Sequence, residues 1–564
     1  MSDTPWLVQK YGGTSVGKFA VKIAKDIVST YIDDYKVAIV CSARSGSTKA
    51  LGTTNLLLRA SSEALTRPTK SNGISGGGAI TPITQSILNM SLGHSRSSSS
   101  GTGSPQSTSS TSEPEFYKTV DLLRDEHIFA ARSSIRDPAI LQELEDEIER
   151  DCEWLRNFLF AAKIIDEISP RSRDNIVGLG ERLACKIMTC VLKDQGIDAE
   201  YISLEDIVPP SASDDLDTST STLTQSFYNH IAAAMGDRIS QCTARVPVIT
   251  GFFGPVPGSL LRQIGRGYTD LASALLAVGL NASELQIWKE VDGIFTADPR
   301  KVPTARLIPM ISPDEAAELT YYGSEVVHPF TMEQVIRRKI PIRIKNVENP
   351  KGGGTVIHPD PELVLNGLKG VVDIPDGPAS PNSKSPHDNS LAAADEQRKR
   401  LPTAVTIKEK IIVLNVNSNR KSVSHGFLAR IFGTLDRFGV VVDLISTSEV
   451  HVSMAIEDGL GKKVLDQLVA ELRKSGTVSI HRDMAILSLV GKQMPNMVGI
   501  AGRMFQTLAQ GNVNIEMISQ GASEINISCV IKAREAVKAL NLIHLNCLQI
   551  KPEGARGRVG PWLF

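Results

Sequence analysis

Neither sign of charge dominates this 564-residue chain: 61 Lys and Arg stand against 62 Asp and Glu, a formal net of −1. A nucleic-acid partner would call for a basic surface, so that class is set aside. Long apolar runs are missing too. No window approaches the ~20 consecutive apolar residues that a membrane span needs. The start, Met-Ser-Asp-Thr-Pro-Trp, lacks a charged-then-apolar leader. Cysteine is sparse: seven are scattered along the chain, with no Cys-x-x-Cys pair. The expectation is a cytoplasmic protein with no structural zinc and no metal site of its own. No Ser-His-Asp or Cys-His arrangement stands out either. The length exceeds what one core can organise, so two to four domains are expected.

What is present is concentrated first at Leu7 to Lys18. Trp6 to Gln9 reads as a short buried strand. It delivers Lys10 and then Gly12-Gly13, a pair that lets the backbone bend sharply and approach a ligand. Thr14 and Ser15 add hydroxyl donors. Phe19 to Ile32 has helical spacing. A strand, a glycine turn and a helix N-terminus form an anion site. Gly12-x4-Gly17-Lys18 nearly spells the Walker phosphate loop, but Phe19 stands where a Mg-binding hydroxyl is needed. The competing reading takes Lys10 as the phosphate ligand.

Val37 to Cys41 reads as a second buried strand, ending in Ser42-Ala43-Arg44-Ser45-Gly46, where open α/β sheets bind ligands. Thr54 or Asn55 reads as the N-cap of the next helix. From Ser91 to Glu113, 11 of 23 residues are Ser. Such a stretch buries too little surface to offset its ordering entropy, so a disordered surface insertion is expected over 68–113. Phe116 to Ile168 reads as amphipathic helices. Glu181 follows Gly178-Leu179-Gly180, read as a turn before a helix through Leu192. It is either a helix-dipole acid or a carboxylate for a substrate ammonium. Further strands are expected at 199–202 and 246–252. Strands alternating with helices predict a mostly parallel sheet covered on both faces.

The densest chemistry lies between Ile264 and Arg300. Arg266 offers a guanidinium fork suited to carboxylate or phosphate, and Asp270 adds a carboxylate in the same turn. The strand Leu285 to Trp288 runs into Lys289-Glu290, Asp292-Gly293 and Asp298-Pro299-Arg300. Taken in order, Lys10-Tyr11-Gly12-Gly13, Gly265-Arg266-Gly267 and Asp298-Pro299-Arg300 resemble the aspartate kinases of the amino-acid kinase family. The resemblance covers residues 5–360 outside the Ser-rich insertion and is nearest to fungal members. Gly-x-x-Val-x-His-Pro (323–329) and Gly352-Gly353-Gly354-Thr355 extend it. Glu325 stands where many relatives carry Lys, and His328 reads as structural.

The resemblance implies an α/β amino-acid kinase fold, a mostly parallel sheet in an αβα sandwich, over residues 1–372. It implies phosphoryl transfer from ATP, with Mg²⁺, to the side-chain carboxylate of L-aspartate. That carboxylate has a reference pKa of ~3.9 and needs no general base at neutral pH. The task is then positioning and charge neutralisation. Lys10 would neutralise the transferring phosphoryl, and the amides of Gly12 and Gly13, with Ser15, would cradle phosphate oxygens. Arg266 and Glu181 would take the aspartate carboxylate and ammonium, beside Ser42 and Thr54. Asp270 would orient Lys10 or the substrate. Lys289, Glu290, Phe295 and Arg300 match the nucleotide-binding loop. Another amino-acid kinase, such as a glutamate 5-kinase, and an inactive sensor on the same fold are the alternatives.

A Pro- and Ser-rich linker is expected over 373–402. Beyond it lies a repeat: Ala429 to Leu435 matches Gly502 to Leu508, and Ser448 to Ser453 matches Ser523 to Ser528. Each unit reads as a ferredoxin-like βαβ domain. The pair, 403–480 and 481–564, resembles tandem ACT domains, implying a homo-oligomer with an amino-acid effector. The fungal resemblance favours threonine, then lysine. Asn417, Gly426, Asp443, Ser448 and Glu449 are the expected effector residues, with Asn514 and Ile515 closing over them.

Overall fold

The computed structural model describes residues 4–46, 48, 51–66, 114–208, 223–242, 244–256, 259–321, 327–359, 401–418, 426–448, 450–492, 494–521 and 525–550, apart from the side chains of Arg262, Arg266 and Pro495. The expected insertion, and the expected linker up to residue 400, lie outside the described residues.

The N-terminal part is built on strands β1 (Trp6–Tyr11), β2 (Lys36–Cys41), β3 (Ala199–Ile202), β4 (Val246–Thr250), β5 (Glu284–Lys289), β6 (Met310–Ile311), β7 (Ile342–Asn346) and β8 (Thr355–Ile357). They form one eight-stranded sheet in the order β3-β4-β2-β1-β5-β7-β8-β6. Every neighbouring pair is parallel except β7 with β8. Both faces are covered, which is why these strands read as continuous apolar runs. Successive side chains divide between two cores. Val8, Ala38, Val40, Leu285 and Ile287 face one core; Leu7, Val37, Ile39 and Trp288 face the other.

The longer helices of this part are α1 (Gly13–Lys22), α2 (Thr53–Leu65), α3 (Glu115–Ser134), α4 (Pro138–Ile165), α5 (Pro170–Asp194), α6 (Gln225–Ser240), α7 (Tyr268–Gly279), α8 (Pro313–Tyr321) and α9 (Pro329–Ile336). Helix α1 begins at the glycine pair, earlier than expected, and runs on as a π-turn over Ile23–Val28. Helix α5 starts where Ser169 accepts from the Ser172 amide and Pro170 fills the first position. It then runs straight through Gly178 and Gly180. The expected turn before Glu181 is therefore helix. A Cβ at Gly178 would meet Phe252 at 2.4 Å, and one at Gly180 would meet Thr53 at 2.7 Å. These glycines allow close packing at a helix cost of roughly 1 kcal/mol each. The N-cap of α2 is Gly52, not Thr54 or Asn55.

The C-terminal part holds β9 (Ala404–Ser418), α10 (Phe427–Arg437), β10 (Val442–Thr447), β11 (His451–Glu457), α11 (Lys462–Arg473), β12 (Gly476–Val490), α12 (Ile500–Gln510), β13 (Met517–Ser519), β14 (Asn526–Lys532) and α13 (Ala536–Asn546). Its strands make one sheet, β10-β11-β9-β12-β14-β13. Its strand pairing joins two units that are interleaved in sequence, unlike the expected blocks 403–480 and 481–564. The second half of β9 pairs with the first half of β12, from Gly476↔Ser418 to His481↔Val413. The first half, Ala404 to Lys408, pairs with Ile486 to Val490. The handover falls at irregularities where Lys410 and Asp483 take positive φ. Residues 404–408 thus belong to the second unit, and the first unit is nested inside it. A 15-residue strand reads as one piece in sequence, and its change of partner is not a local property.

Among the described residues no helix is long and apolar enough to cross a membrane. Helices α2 and α3, which flank the Ser-rich insertion, pack together, and Thr119 Oγ1 donates to Glu63 Oε2 at 2.6 Å. Replacing residues 70–112 with a short Gly/Ser link should therefore leave turnover within about twofold and the melting temperature within a few degrees, since loop length costs little. Failure to obtain folded protein would show that the insertion contributes to packing.

Candidate active site

The C-terminal ends of β1, β2, β4 and β5 form one edge of the sheet, with β1 and β5 at its centre. Open α/β sheets place their sites at such an edge. Lys10, next to the end of β1, sends its ammonium to Asp270 in the first turn of α7, at 2.6 Å. Burial works to raise the Asp270 carboxyl, but Lys10, Lys289 and His328 outweigh it and leave it below the usual carboxylate range. Four charged or titratable groups therefore share this corner.

Gly12 ends the strand and caps α1. Gly13 lies against the next loop: a Cβ there would sit 2.2 Å from the Ala43 carbonyl, and its own carbonyl accepts from the Ser45 amide at 2.9 Å. The glycine pair thus fits α1's N-terminus onto the 42–46 loop. Ser15 is buried and donates to Glu290 Oε1 at 2.8 Å. It fastens the start of the segment between β5 and β6 to α1.

Beside this corner lies a cavity of about 470 Å³. Of the expected site residues, Gly13, Ser42, Thr54 and Glu181 line it together. Glu181, on α5, is 1% exposed. Thr269 Oγ1 donates to its Oε1 at 2.5 Å. Oε2 is buried without a hydrogen-bond partner of normal geometry among the described residues. Burial pushes this carboxyl up to about 8, against weaker pulls from Thr269, Tyr268, Lys10 and the Ala43 amide. A carboxyl so placed favours a cationic partner, which would restore its ionised form.

Thr269, Tyr268, Lys18, Arg44 and Thr53 also line the cavity and were not among the expected site residues. For Thr269 the signal was present: it is a hydroxyl beside Asp270 at a helix start. Thr53 carried none. Its hydroxyl meets His127 Nε2 at 3.3 Å, while His127 Nδ1 lies 2.7 Å from the Leu123 carbonyl. Burial and the neighbouring Arg44 bring His127 down to about 4, so it is neutral.

Of the expected nucleotide-loop residues, Lys289 ends β5, Glu290 holds Ser15, and Phe295 bridges to Leu307. Arg300 is exposed and forks onto Asp298, away from the cavity lining. Arg266 occupies the short turn Gly265–Gly267; its side chain lies outside the described residues, as do Glu325 and Glu449. His328 caps α9, accepting from the Phe330 amide, in keeping with a structural part.

The expected effector residues do not form one cluster. Asn417 lies opposite His451, at the end of the first unit that also carries Ser448 and the start of α10 at Gly426. Asp443 is the second residue of β10, five residues before Ser448, a strand length on the order of 15 Å. It is paired with Lys408 at 2.7 Å. Strand direction separates Asp443 from Asn417. Exposed Asn514 and half-buried Ile515 precede β13, the outer strand of the second unit, which lies near β10.

The comparisons with known proteins agree with this geometry. The amino acid kinase family model matches residues 5–346, and an ACT-domain model matches residues 487–546. The chain belongs to the amino acid kinase family, carrying an ACT module at its C-terminal side. Within that family it falls among the aspartokinases. It is 50% identical to the aspartokinase of Schizosaccharomyces pombe, over 99% of this chain and 97% of that protein. It is 46% identical to that of Saccharomyces cerevisiae, over 97% and 93%. The fold resembles E. coli aspartokinase III in complex with lysine and aspartate, with a TM-score of 0.66 at 23% identity, covering 96% of this chain and 99% of that one. The same enzyme with aspartate and ADP gives 0.62 at 25%, again over 96% and 99%.

The raised Glu181 carboxyl sets a stability test. The folded chain keeps a proton that the unfolded chain releases between pH 4.5 and about 8. That contribution is full below the unfolded value and is lost as pH rises through the folded one. Without aspartate, Glu181→Gln should raise the melting temperature by several degrees near pH 8 and by much less near pH 5. A difference that is flat with pH, in thermal unfolding followed by circular dichroism, would contradict the burial of an ionisable group here.

Proposed function

We propose that this chain transfers the γ-phosphoryl of ATP to the side-chain carboxylate of L-aspartate. The observation that carries the reading is the buried, partly unpartnered Glu181 carboxyl facing a cavity beside the Lys10–Asp270 pair. An amino-acid substrate brings the ammonium that this carboxyl lacks. The nucleophile it carries is already an anion, so the obstacle is repulsion from the polyphosphate.

Each expected residue then has one task. Glu181 gives up its proton and takes the ammonium. Arg266 takes a carboxylate, and Ser42 and Thr54 supply hydroxyls along the cavity wall. Lys10 neutralises the transferring phosphoryl, held in place by Asp270. The amides of Gly12 and Gly13 at the start of α1 favour phosphate oxygens. Lys289, Glu290, Phe295 and Arg300 border the nucleotide, with Ser15 holding Glu290 in place. Among the described residues no three His, Cys, Asp or Glu side chains converge as a metal site. Mg²⁺ is expected to arrive on the nucleotide, where it would offset charge on the β- and γ-phosphates.

Measuring ATP turnover with aspartate, glutamate and acetylglutamate tests the substrate. Turnover with aspartate alone is expected, and its absence would leave an inactive sensor. Lys10→Ala should lower kcat by ~10²–10⁴-fold with the fold retained, the usual scale for one preorganised charge stabiliser. Lys18→Ala should be far milder, although Lys18 lines the cavity. A reversed ranking would return the phosphate role to Lys18.

We further infer that the ACT pair assembles the chain into a homo-oligomer and makes it responsive to a free amino acid, threonine first and lysine second. Asn417, Gly426 and Ser448 offer one cluster for it. Separate titrations with threonine and lysine test this. Inhibition at millimolar threonine is expected, with a coupling of ~1–3 kcal/mol. No effect from either would reduce the pair to assembly.

A further inference from the structure

The hairpin between β5 and β6 is held from two sides. Within it, Phe295 bridges Leu307, and Thr296 N donates to the Arg306 carbonyl at 2.9 Å. From the sheet, Thr355 Oγ1 accepts from the Ile294 amide at 2.8 Å and donates to the Ile308 carbonyl at 2.6 Å. The other side rests on the second ACT unit. Ala297 and Val302 are buried in that unit's core. The Val405 amide donates to the Thr296 carbonyl at 2.9 Å, and Asn541 Nδ2 to the Lys301 carbonyl at 3.1 Å.

At the centre of this contact is His544, on α13 and fully buried. Its Nε2 lies 2.9 Å from Thr296 Oγ1 and its Nδ1 3.4 Å from Thr304 Oγ1. Thr296 Oγ1 already accepts from the Arg306 amide at 2.9 Å. Its own proton is then available to Nε2, and on that basis we assign Nε2 as the unprotonated nitrogen. The other nitrogen carries the proton and faces Thr304. Burial first, and Arg306 second, hold the imidazole below its ordinary value, in agreement with that neutral form. A histidine that merely filled the core would not need two threonines of one hairpin aligned on its two nitrogens. Phe295, on the expected nucleotide side, is the residue next to Thr296.

We propose that His544 is a positioning residue for ATP: by accepting the Thr296 hydroxyl it fixes the hairpin that carries Phe295, so that the second ACT unit sets nucleotide affinity even with no effector bound. The proposal rests on the reading of residues 289–300 as the nucleotide loop. It assigns His544 no contact with substrate.

The test is steady-state kinetics on the full chain without effector. His544→Ala should raise KM for ATP about tenfold, the scale of one buried hydrogen bond, and leave KM for aspartate and kcat within about twofold. Thr296→Val, which keeps the shape and removes the hydroxyl, should do the same; it carries the test alone if His544→Ala does not fold. The double variant should cost less than the sum of the two single effects, because both remove the shared Thr296–His544 bond, while Thr296→Val alone also removes the Arg306 amide's partner and His544→Ala alone the Thr304 contact. His544→Gln, whose amide oxygen can take the place of Nε2, should restore most of the affinity. Unchanged KM for ATP in both single variants, or equal rises for both substrates, would overturn the proposal. Phe295→Ala separates the two levels. If it raises KM for ATP while His544→Ala and Thr296→Val do not, only the positioning role falls. If none of the three does, the nucleotide-loop reading falls and takes the proposal with it.

Discussion

An ammonium and a carboxylate 2.6 Å apart, Lys10 and Asp270, tie the middle of the sheet to the helix behind it. Each would be costly alone, since an unpaired charge with so little exposure loses its hydration. Paired, they require β1 and the first turn of α7 to meet at one point. Asp270 also sits where the positive end of the α7 dipole favours an anion. The pair is not isolated: Lys289 and His328 also act on Asp270. Two lysines, Lys10 and Lys289, thus act on this one carboxylate, an arrangement suited to a polyphosphate. Most of what surrounds it, the glycine pair, the 42–46 loop and the start of the segment between β5 and β6, is shaped to meet at this strand edge.

The second constraint is steric. Glu181 reaches the cavity because α5 lies unusually close to its neighbours, and Gly178 and Gly180 make that approach possible. Burial of Glu181 follows from this packing, and its raised pKa follows from the burial. Packing and chemistry are thus one feature: without the approach, the carboxyl would be hydrated and already ionised, with less to gain from an ammonium.

The parts of the site legible in the sequence are those whose signal is local. Lys10 followed by Gly12-Gly13 reads as a strand end and a turn; the strand end appears as read, while the glycine pair is the cap and first residue of α1. Glu181 was read at a helix start just after a turn and not in the middle of a helix, because glycines read as turn formers when their partners, Phe252 and Thr53, are remote in sequence. Thr53 and His127 were illegible for the same reason: their contact spans the Ser-rich insertion. The nesting of the ACT units was hidden because pairing of 404–408 with 486–490 is a property of the sheet. Asp443 was grouped with Asn417 on composition, and strand direction parts them.

The same geometry indicates where control can enter. Every residue lining the cavity beside Glu181 lies between Gly13 and Thr269, in the kinase part. The hairpin 292–306 instead shares a buried core with the second ACT unit through Ala297 and Val302. Helix α8 makes a further joint: Glu315 Oε1 accepts from Thr403 Oγ1 at 2.5 Å and from the Lys492 amide at 2.8 Å. Closely packed contacts of this kind transmit small shifts rather than absorbing them. A rearrangement of the ACT pair would therefore reach the hairpin and α8 before it reached the Glu181 cavity. Because a ligand shifts an equilibrium only by its differential affinity for the two states, an effector acting through these joints would change nucleotide binding more than aspartate binding. Such division is possible because the two substrates approach one charged corner from elements with different attachments.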